Sequence, residues 1–447
     1  MNLLRRRPFL AGFAGLVAGW LFLAGAGAAS AMAIERVTSP GGIEAWLVED
    51  HSLPVVSLAL AFRGGAALDP ADKVGLATMV SGLLDEGAGP LDSEAFQKLL
   101  SDRAIDLSFD AGQDEFRGTL RALMRDRDQA FEMLRLSLTE PRFDAEPVER
   151  IRSQLLAVLA SDAEDPGKIA SDTFWHTVFP DHPYGRDPTG TPESLKRIAA
   201  ADLKAFVGQQ FTRDRLKIGV VGDISPADLG PALDKLFGAL PAAGPSVTLP
   251  AAVPVGAGRT VLVDRDVPQS VILLGQNGIK RDDPDFYAAA LLMQTLGGGF
   301  GSRLTREVRE KRGLAYSINA DLATFDLGGL VTGETATQNA RAKESIDVIR
   351  QVWAEMAADG PTEAELADAK SYLIGSYPLR FTSSSRIAGS LVAIQLEGLG
   401  IDYVDKRQEL FGAVTLADVR RVAKRLLDPA KLTWVVVGRP AGVAAAP

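Results

Sequence analysis

Residues 296–320, LGGGFGSRLTREVREKRGLAYSINA, hold the side chains of this sequence that are best suited to chemistry. Four glycines stand among the first six residues, a run of arginine, glutamate and lysine follows, and Arg309 and Tyr316 are seven residues apart. A guanidinium presents a planar fork of donors to a carbonyl or carboxylate, and a phenol can donate to an oxygen that gains charge. Three interpretations are open: a phosphate-binding loop, a solvated basic helix and part of a peptide-handling site.

A phosphate-binding loop is disfavoured by the order of the elements around the glycines. The dinucleotide-binding pattern G-x-G-x-x-G lies between a strand and a helix. Here the glycines follow a predicted helix, Ser302 replaces the last glycine, and the Gly-Lys-Ser/Thr of a Walker loop is absent. The solvated helix stays open, because Arg309 stands among other charged residues, namely Arg306, Glu307, Glu310, Lys311 and Arg312.

The supply of metal ligands is small. The chain has no cysteine and three histidines, His51, His176 and His182. Disulfides and thiolate metal sites are therefore excluded, and a zinc site, which usually takes His or Cys ligands, is poorly supplied. A weak site of His176 and His182 with Asp181 or Asp187 is disfavoured, because a loop rich in Pro, Asp and Gly surrounds them.

The N-terminus has the features of an export signal. Arg5, Arg6 and Arg7 precede a stretch without charge over residues 8–33, and two small-residue cleavage signatures end at Ala31 and Ala33. We expect a signal peptide over 1–33 that is cleaved, which places the protein in the periplasm. An uncleaved membrane anchor is the alternative, since the apolar stretch is long enough to cross a bilayer; twin-arginine export is a further variant.

The charge balance disfavours nucleic acid as a partner. The net charge is -9, and removal of the three N-terminal arginines would change it to -9 - 3 = -12. Phosphate contacts need a basic face, so an acidic exported protein is not expected to bind nucleic acid. The negative charge suits basic peptides, or it serves solubility alone.

Two halves of the chain follow one plan. LPVVSLALAFRGGAALDP and VPQSVILLGQNGIKRDDP, which start at Leu53 and Val267, place matching Pro and Asp-Pro positions 214 residues apart. Near the end of each half, KIGVVGD and TWVVVGR place Gly222 and Gly438 216 residues apart. Anchors at nearly constant spacing indicate a duplicated domain.

The order of predicted elements gives the fold class. Each half reads as strands first, then a helix, two more strands, two long helices and a closing strand. The predicted long helices cover 126–138, 147–160, 340–359 and 362–377, and Thr362 with Glu365 forms a capping-box signature. This order predicts an α+β fold of two homologous α/β-sandwich domains, each a sheet with helices on one face. The expected domains are 34–240 and 259–441, with a Pro/Gly/Ala-rich linker over 241–258.

The first half resembles the insulinase, pitrilysin and mitochondrial processing peptidase family of zinc metallopeptidases. Catalytic members carry H-x-x-E-H on a helix, with two His ligands and a Glu base. The matching text here is GLATMVSGLLDEG, in which Thr78 and Gly82 occupy the His positions and Ser81 occupies the Glu position. The later helix matches at Glu149, but the third ligand falls near Leu156. Neither H-x-x-E-H nor H-E-x-x-H occurs in the chain, so the resemblance implies a degenerate zinc motif.

The second half matches a further signature of that family, S-R-L-x-x-x-x-R-x-x-x-G-L-x-Y. Here it reads from Ser302 through Arg309 and Gly313 to Tyr316. The resemblance implies that Arg309 and Tyr316 form a substrate-binding pair. The glycines, Gly298 and Gly299 among them, would let the backbone approach a peptide or would simply make a tight turn. Gly313 would end the helix that carries Arg309, and Arg303 would tie the loop to a helix.

The resemblance implies a half-shell like those of the LuxS-type and processing-peptidase metalloenzymes, and a function in trans. The chain would be the non-catalytic, substrate-binding subunit of an exported heterodimeric zinc metalloendopeptidase that degrades peptides. A homologous catalytic subunit would supply zinc, its ligands and the base. The alternative is a structural or peptide-binding scaffold of the same fold without an enzymatic partner, and a self-sufficient peptidase is disfavoured by the few histidines.

Overall fold

The computed structural model describes residues 32–446. Residues 34–447 group into one compact unit. The predicted signal peptide over 1–33 lies outside the described residues except for its last two positions. Within the described part, none of the helices has the length and apolar character needed to cross a membrane.

The strands fall into two groups along the chain, one in each half. They are β1 Glu35–Thr38, β2 Glu44–Glu49, β3 Val55–Arg63, β4 Asp106–Ala111, β5 Glu115–Leu123, β6 Leu216–Gly222, β7 Thr260–Val263, β8 Gln269–Asn277, β9 Ala315–Thr324, β10 Gly329–Gln338 and β11 Thr433–Val437.

The α-helices follow the strands in both halves. They are α1 Leu76–Ser81, α2 Ser93–Asp102, α3 Arg127–Thr139, α4 Ala145–Asp162, α5 Pro166–Val178, α6 Pro192–Arg197, α7 Ala200–Gln210, α8 Pro226–Phe237, α9 Phe286–Gly297, α10 Ala342–Asp359, α11 Glu363–Gly375, α12 Ser384–Leu396, α13 Tyr403–Ala413 and α14 Leu416–Leu426.

The two sheets share one topology. The first has the order β1-β2-β6-β3-β5-β4, and the second has the order β7-β11-β8-β10-β9. In each, the closing strand pairs parallel to one neighbour, as β6 does with β2 and β11 with β7, and all other pairs are antiparallel. The strands β4 and β9 therefore occupy equivalent free edges. Helices of each half cover one face of their own sheet and enclose its core.

The opposite face of each sheet is covered by a helix from the other half. Helix α12, from the second half, packs on β6 and β3, and α5, from the first half, packs on β8 and β11. A glycine lies beneath each exchanged helix. A Cβ added to Gly219 would collide with the carbonyl oxygen of Ala388 on α12, and one added to Gly275 would lie 2.5 Å from the Phe174 ring of α5.

The predicted α+β fold of two sandwich domains is confirmed, and the exchanged helices extend it. Strand β3 is buried on both faces except at its ends, so one layer of helices cannot remove it from water. The four predicted long helices are present within a few residues of their expected bounds, and the Thr362–Glu365 capping box is formed. The domain boundaries stay predictions. Helices α5 and α12 each lie within one predicted domain in the sequence but pack on the sheet of the other.

Candidate functional site

The three positions of the degenerate zinc motif lie on and just after α1, where they have structural contacts. The Thr78 hydroxyl donates to the carbonyl oxygen of Pro188 at 2.6 Å, and the Ser81 hydroxyl donates to that of Thr78 at 2.8 Å. Gly82 ends the helix, and a Cβ there would lie 3.3 Å from Ile151 of α4. Thr78 thus ties α1 to the segment that carries Pro188, whereas the Ser81 bond lies within the helix and Gly82 lets α1 approach α4.

Helix α4 supplies no replacement ligand. Leu156 packs against the core of the first half. Glu149 lies 3.3 Å from Arg152, whose guanidinium also donates to the carbonyl oxygens of Leu195 and Ile198. A hydroxyl, a glycine and an aliphatic side chain do not fit a zinc site. Across residues 32–446, no group of three or more His, Asp or Glu side chains is placed to hold a metal ion.

The histidines have other partners. The ring of His182 lies 3.1 Å from the carbonyl oxygen of Pro250 through Nε2, and its Nδ1 accepts from the Tyr184 amide at 3.2 Å. His176 is exposed on α5, and Asp187 pairs with Lys168 at 2.8 Å. The weak metal site considered for these residues is therefore not assembled.

His51 lies on the surface between two carboxylates. Its ring nitrogens are 2.5 Å from Asp223 and 2.7 Å from Glu49. The hydrogen bond to Asp223, and then the one to Glu49, raise the pKa of His51. This contact joins the ends of β2 and β6 and does not reach the degenerate motif.

The glycine run forms a loop between α9 and the next helical turn. Gly298 caps α9, and Gly299 has φ 130°, a conformation that favours glycine. The Thr305 hydroxyl fixes the loop by donating to the carbonyl oxygen of Gly299 at 3.0 Å. Phe300 is 77% exposed at the tip. Gly298 and Gly299 also line a cavity of about 800 Å³ in the second half.

The chain then makes a π-helical turn over Thr305–Glu310 and reverses into β9. Gly313 has φ 56° and donates its amide to the carbonyl oxygen of Arg309 at 2.9 Å. That bond is the 5→1 bond of an αL helix end, and the Leu314 amide donates in addition to the carbonyl oxygen of Val308 at 2.9 Å. Gly313 thus ends the helix as predicted, and the reversal places the first residues of β9 beside its last turn.

The structure brings Arg309 and Tyr316 together. The guanidinium carbon of Arg309 lies 4.7 Å from the Tyr316 ring centroid and 5.2 Å from that of Phe300. Such distances allow cation–π attraction, worth roughly 0.5–1 kcal/mol at exposed sites. Tyr316 is 83% exposed. The aromatic rings therefore hold the guanidinium at the surface while its N–H groups stay available.

Arg309 differs from the basic residues around it. In the described part of the chain it has no carboxylate within 4.0 Å, and neither its side chain nor that of Tyr316 forms a hydrogen bond. Each of the neighbouring basic residues has an acidic partner; the pairs are Arg303–Glu365, Arg306–Glu365, Lys311–Glu307 and Arg312–Glu307.

Arg303 ties the loop to α11, as the sequence predicted. Its guanidinium donates to both carboxylate oxygens of Glu365, at 2.8 and 2.6 Å, and to the carbonyl oxygen of Gly360 at 2.9 Å. Burial raises the pKa of Glu365, but the bonds from Arg303 and the Thr362 amide outweigh it and bring that pKa to about 2. This carboxylate is therefore ionised and holds the base of the π turn.

Phe300 was not predicted to contribute to the site. An aromatic residue between two glycines is a signal that the sequence does contain, because a large apolar side chain at the tip of such a loop has no core to enter. Its position next to Arg309 makes it the third side chain of an exposed cluster, Phe300–Arg309–Tyr316, which we call the Arg/aromatic cluster.

Comparison with known protein families matches this part of the chain. Residues 197–373 match a profile described as "Peptidase M16 inactive domain". A crystal structure of a peptidase M16 inactive domain from Pseudomonas fluorescens superposes with a TM-score of 0.86 at 29% identity, covering 93% of this chain and 99% of that one. A protease structure from Helicobacter pylori, at a TM-score of 0.81 and 19% identity, covers 91% of this chain and 100% of its own; it supports the fold alone.

Curated relatives cover most of the chain. A protein of Helicobacter pylori named "Non-peptidase homolog YmxG" is 29% identical over 391 residues, which are 87% of this chain and 90% of that protein. A protein of Mycobacterium leprae named as an uncharacterized zinc protease is 27% identical over 407 residues, 90% of this chain and 91% of its own.

Proposed function

We propose that this chain, which is similar to the peptidase M16 inactive domain over residues 197–373, is a non-catalytic, substrate-binding subunit of a zinc endopeptidase. The resemblance places Thr78, Ser81 and Gly82 at the positions of the zinc ligands and base. A homologous partner that carries H-x-x-E-H would hold the zinc and cleave peptides. The complex would be a heterodimer in which this chain contributes to the substrate-binding surface.

The Arg/aromatic cluster is the observation that carries the proposal. An arginine on a surface helix that has no binding role usually pairs with a nearby carboxylate or extends into water. Arg306, for example, pairs with Glu365. Arg309 is instead held between Phe300 and Tyr316. A cation that is held in one orientation and has no counter-charge among the described residues is suited to binding an external carbonyl or carboxylate group.

The cluster can act on an extended peptide by hydrogen bonding. The Arg309 fork would donate to a peptide carbonyl or carboxylate, and the Tyr316 hydroxyl would donate to a neighbouring carbonyl oxygen. Phe300, on a glycine loop, would cover an apolar side chain of the peptide. Tyr316 begins β9, a free edge strand, so a bound segment could also reach unpaired backbone groups. These contacts position a substrate and need no metal in this chain.

The test is a mixing experiment with a homologous H-x-x-E-H subunit from the same cells. We expect that this chain alone neither retains zinc nor hydrolyses a fluorogenic peptide, and that the mixture hydrolyses it. Arg309→Ala and Tyr316→Phe should each lower the kcat/KM of the mixture by about tenfold or more, the loss of roughly one charge-assisted hydrogen bond.

Arg306→Ala is the matched control, since it removes a neighbouring exposed arginine and should leave kcat/KM unchanged within about twofold. Full activity of the Arg309→Ala mixture would remove the role assigned to the cluster. Co-purification without any gain in hydrolysis would favour the alternative, a peptide-binding scaffold without an enzymatic partner.

We also propose that residues 1–33 direct export and are removed, so that the complex works in the periplasm. The support is the arginine triplet Arg5–Arg6–Arg7 followed by an uncharged stretch and small-residue cleavage signatures. Intact-mass analysis of the protein from fractionated cells should give a chain that starts at Met32 or Ile34, in the periplasmic fraction. A full-length chain in the cytoplasm would contradict this localisation.

A further inference from the structure

A cavity of about 800 Å³ lies in the second half, next to the glycine loop. Helix α9 forms one wall, strands β8, β10 and β9 form another, and residues of α5, α11, α12 and α13 line the remaining sides. Its volume is within the range of about 300–1,000 Å³ that is usual for ligand sites. Gly297, Gly298 and Gly299 form part of its wall, so it opens beside the Arg/aromatic cluster.

Three guanidinium groups line the cavity, those of Arg281, Arg380 and Arg407. Glu397 lines it as well and pairs with Arg281 at 2.9 Å. Arg407 is only 8% exposed, and its described partner is neutral, the carbonyl oxygen of Leu373 at 2.7 Å. Within residues 32–446, no carboxylate lies within ion-pair distance of Arg380 or Arg407.

A buried cation without a counter-charge costs several kcal/mol in a folded protein. Burial accordingly lowers the pKa of Arg407, although an arginine stays protonated at neutral pH. The cost is offset in part by aromatic faces, because the guanidinium carbon lies 3.9 Å from the Tyr377 centroid and 4.4 Å from that of Phe411. The rings fix the plane of the guanidinium, and a bound anion would remove the remaining cost.

Two tyrosine hydroxyls lie near these arginines. Tyr403 lies 3.2 Å from Arg281, and Tyr377 lines the cavity with it. Burial raises the pKa of Tyr403 to about 12 and also raises that of Tyr377. Both hydroxyls therefore keep their protons at neutral pH and can donate to an anionic oxygen.

Two carboxylates line the cavity on its sheet side. Asp321 on β9 and Glu334 on β10 are exposed and have no cationic partner among the described residues. They are on the same face of the sheet as Asn319, which is paired with Glu334 across the strands. A cavity lined by arginines from α13 and the segment before α12, and by carboxylates from the sheet, suits a ligand that carries both a negative and a positive group more than it suits a phosphate ion.

We propose that this cavity binds a short peptide through a carboxylate, which Arg380 and Arg407 receive, with the amino end toward Asp321 and Glu334. A planar guanidinium binds a carboxylate through two parallel hydrogen bonds. The inference rests on the proposed function for the peptide nature of the ligand. It adds a carboxylate subsite in this chain that needs neither the partner nor zinc.

Calorimetric titration of the full chain without its partner tests the proposal. The probes are trialanine with a free C-terminus, trialanine amide, Ala-Asp-Ala amide with a free N-terminus, and inorganic phosphate. We expect trialanine to bind at least tenfold more tightly than its amide. Equal binding of the Asp-containing peptide would assign the subsite to side-chain carboxylates, and weak binding would assign it to chain termini.

The variants separate the subsite from the rest of the surface. Arg380→Ala, on an exposed segment, should weaken trialanine at least fivefold. Arg386→Ala, an exposed arginine on α12 that does not line the cavity, should leave the affinity unchanged. Arg407→Lys keeps the charge but loses the planar fork, and it should weaken binding while near-UV circular dichroism shows an intact fold.

No heat of binding for trialanine, equal affinity for trialanine and its amide, or tighter binding of phosphate would each overturn the subsite. The two proposals fail separately. If the isolated chain binds trialanine and the mixture never cleaves peptides, only the proposed function falls. If the mixture is active and the isolated chain does not distinguish acid from amide, only the subsite falls.

Discussion

At the scale of single residues, this chain assigns its arginines to two kinds of work. Arg303 is engaged on three sides, by both oxygens of Glu365 and by Gly360. Arg309 and Arg407 are held by aromatic rings and keep hydrogen-bond donors for other molecules. The sequence shows all three as charged residues in ordinary surroundings. Only the folded contacts separate the structural arginine from the two that we assign to ligands.

The contribution of Asp285 to the free energy of unfolding should depend on pH. Hydrogen bonds from Arg421, and then from Arg425, lower its pKa to about 2 from 3.8. A carboxyl whose folded pKa is depressed contributes stability above its unfolded pKa, and that contribution is lost as the pH falls through the folded pKa. Since both arginines are about half exposed, we expect Asp285→Asn to lower the free energy of unfolding by about 1 kcal/mol at pH 7.

Urea unfolding at several pH values checks this expectation. The difference between Asp285→Asn and the unmodified chain should shrink as the pH falls from about 4 toward 2. Asp110→Asn is the control, because Asp110 is exposed and forms no ion pair in the described residues; it should change little at any pH. A gap for Asp285→Asn that is constant with pH would show that the arginine clamp is not its origin.

At the scale of elements, the sequence predicted what local patterns encode. Alternating and apolar runs gave the strands, and periodicity with the Thr362–Glu365 capping box gave the long helices, because those signals lie within ten to twenty residues. The assignment of Thr78, Ser81 and Gly82 to the positions of zinc ligands and base came from their residue types and the resemblance, and it stays a prediction. The resemblance gave Arg309 and Tyr316, and the structure places them in contact, but their role in binding substrate stays a prediction.

What the sequence could not give is which surface each helix covers. Helices α5 and α12 each pack on the sheet of the other half, and α12 meets β3 and β6 more than 150 positions away. An amphipathic pattern shows that a helix has an apolar face and does not name its partner. The cavity lined by Arg281 and Arg407 escaped for the same reason, since its walls come from separate segments of the chain.

Gly219 provides a test of the α12 contact. A Cβ at this position would collide with the backbone of α12 at Ala388, so Gly219→Ala should reduce the free energy of unfolding by about 1–3 kcal/mol. Gly208→Ala is the matched control. Gly208 is in α7 with no atom within 4 Å of an added Cβ, and the helix propensity of alanine should make that variant more stable by up to about 1 kcal/mol.

Chemical denaturation of the two variants, side by side, measures both effects. If Gly219→Ala were as stable as the unmodified chain, α12 would have to be loosely held on the first sheet. A loss in the control would instead point to a contact at α7 that the structure does not contain.

At the scale of the whole molecule, the exchanged helices should make the halves inseparable. The predicted linker over 241–258 joins them, and α5 and α12 add two further contacts between the halves. The apolar cluster around α5 also includes Ala252 of the linker. A protease site inserted between Ser246 and Val247, where Val247 is half exposed, should allow cleavage without dissociation. We expect both fragments to elute together in size-exclusion chromatography and to unfold in one transition.

Two separate peaks after cleavage would mean that each half folds alone and that the exchange of helices is not needed for folding.

The comparisons confirm the family resemblance and the fold. The inactive M16 domain matches residues 197–373, and a solved structure of such a domain superposes on 93% of the chain. The heterodimer and its catalytic partner stay proposals.

The position of α12 on the first sheet also delays the final packing of that sheet during synthesis. Strand β6 ends at Gly222, whereas α12 ends at Leu396, so the ribosome must add more than 170 residues before the sheet can be closed. At about 5–20 residues per second this takes on the order of 10–30 seconds. During that interval the face of β3 and β6 that α12 will cover stays open, with Ser57 and Gly219 among the residues on it, so the first sheet reaches its final packing only after most of the second half has been made.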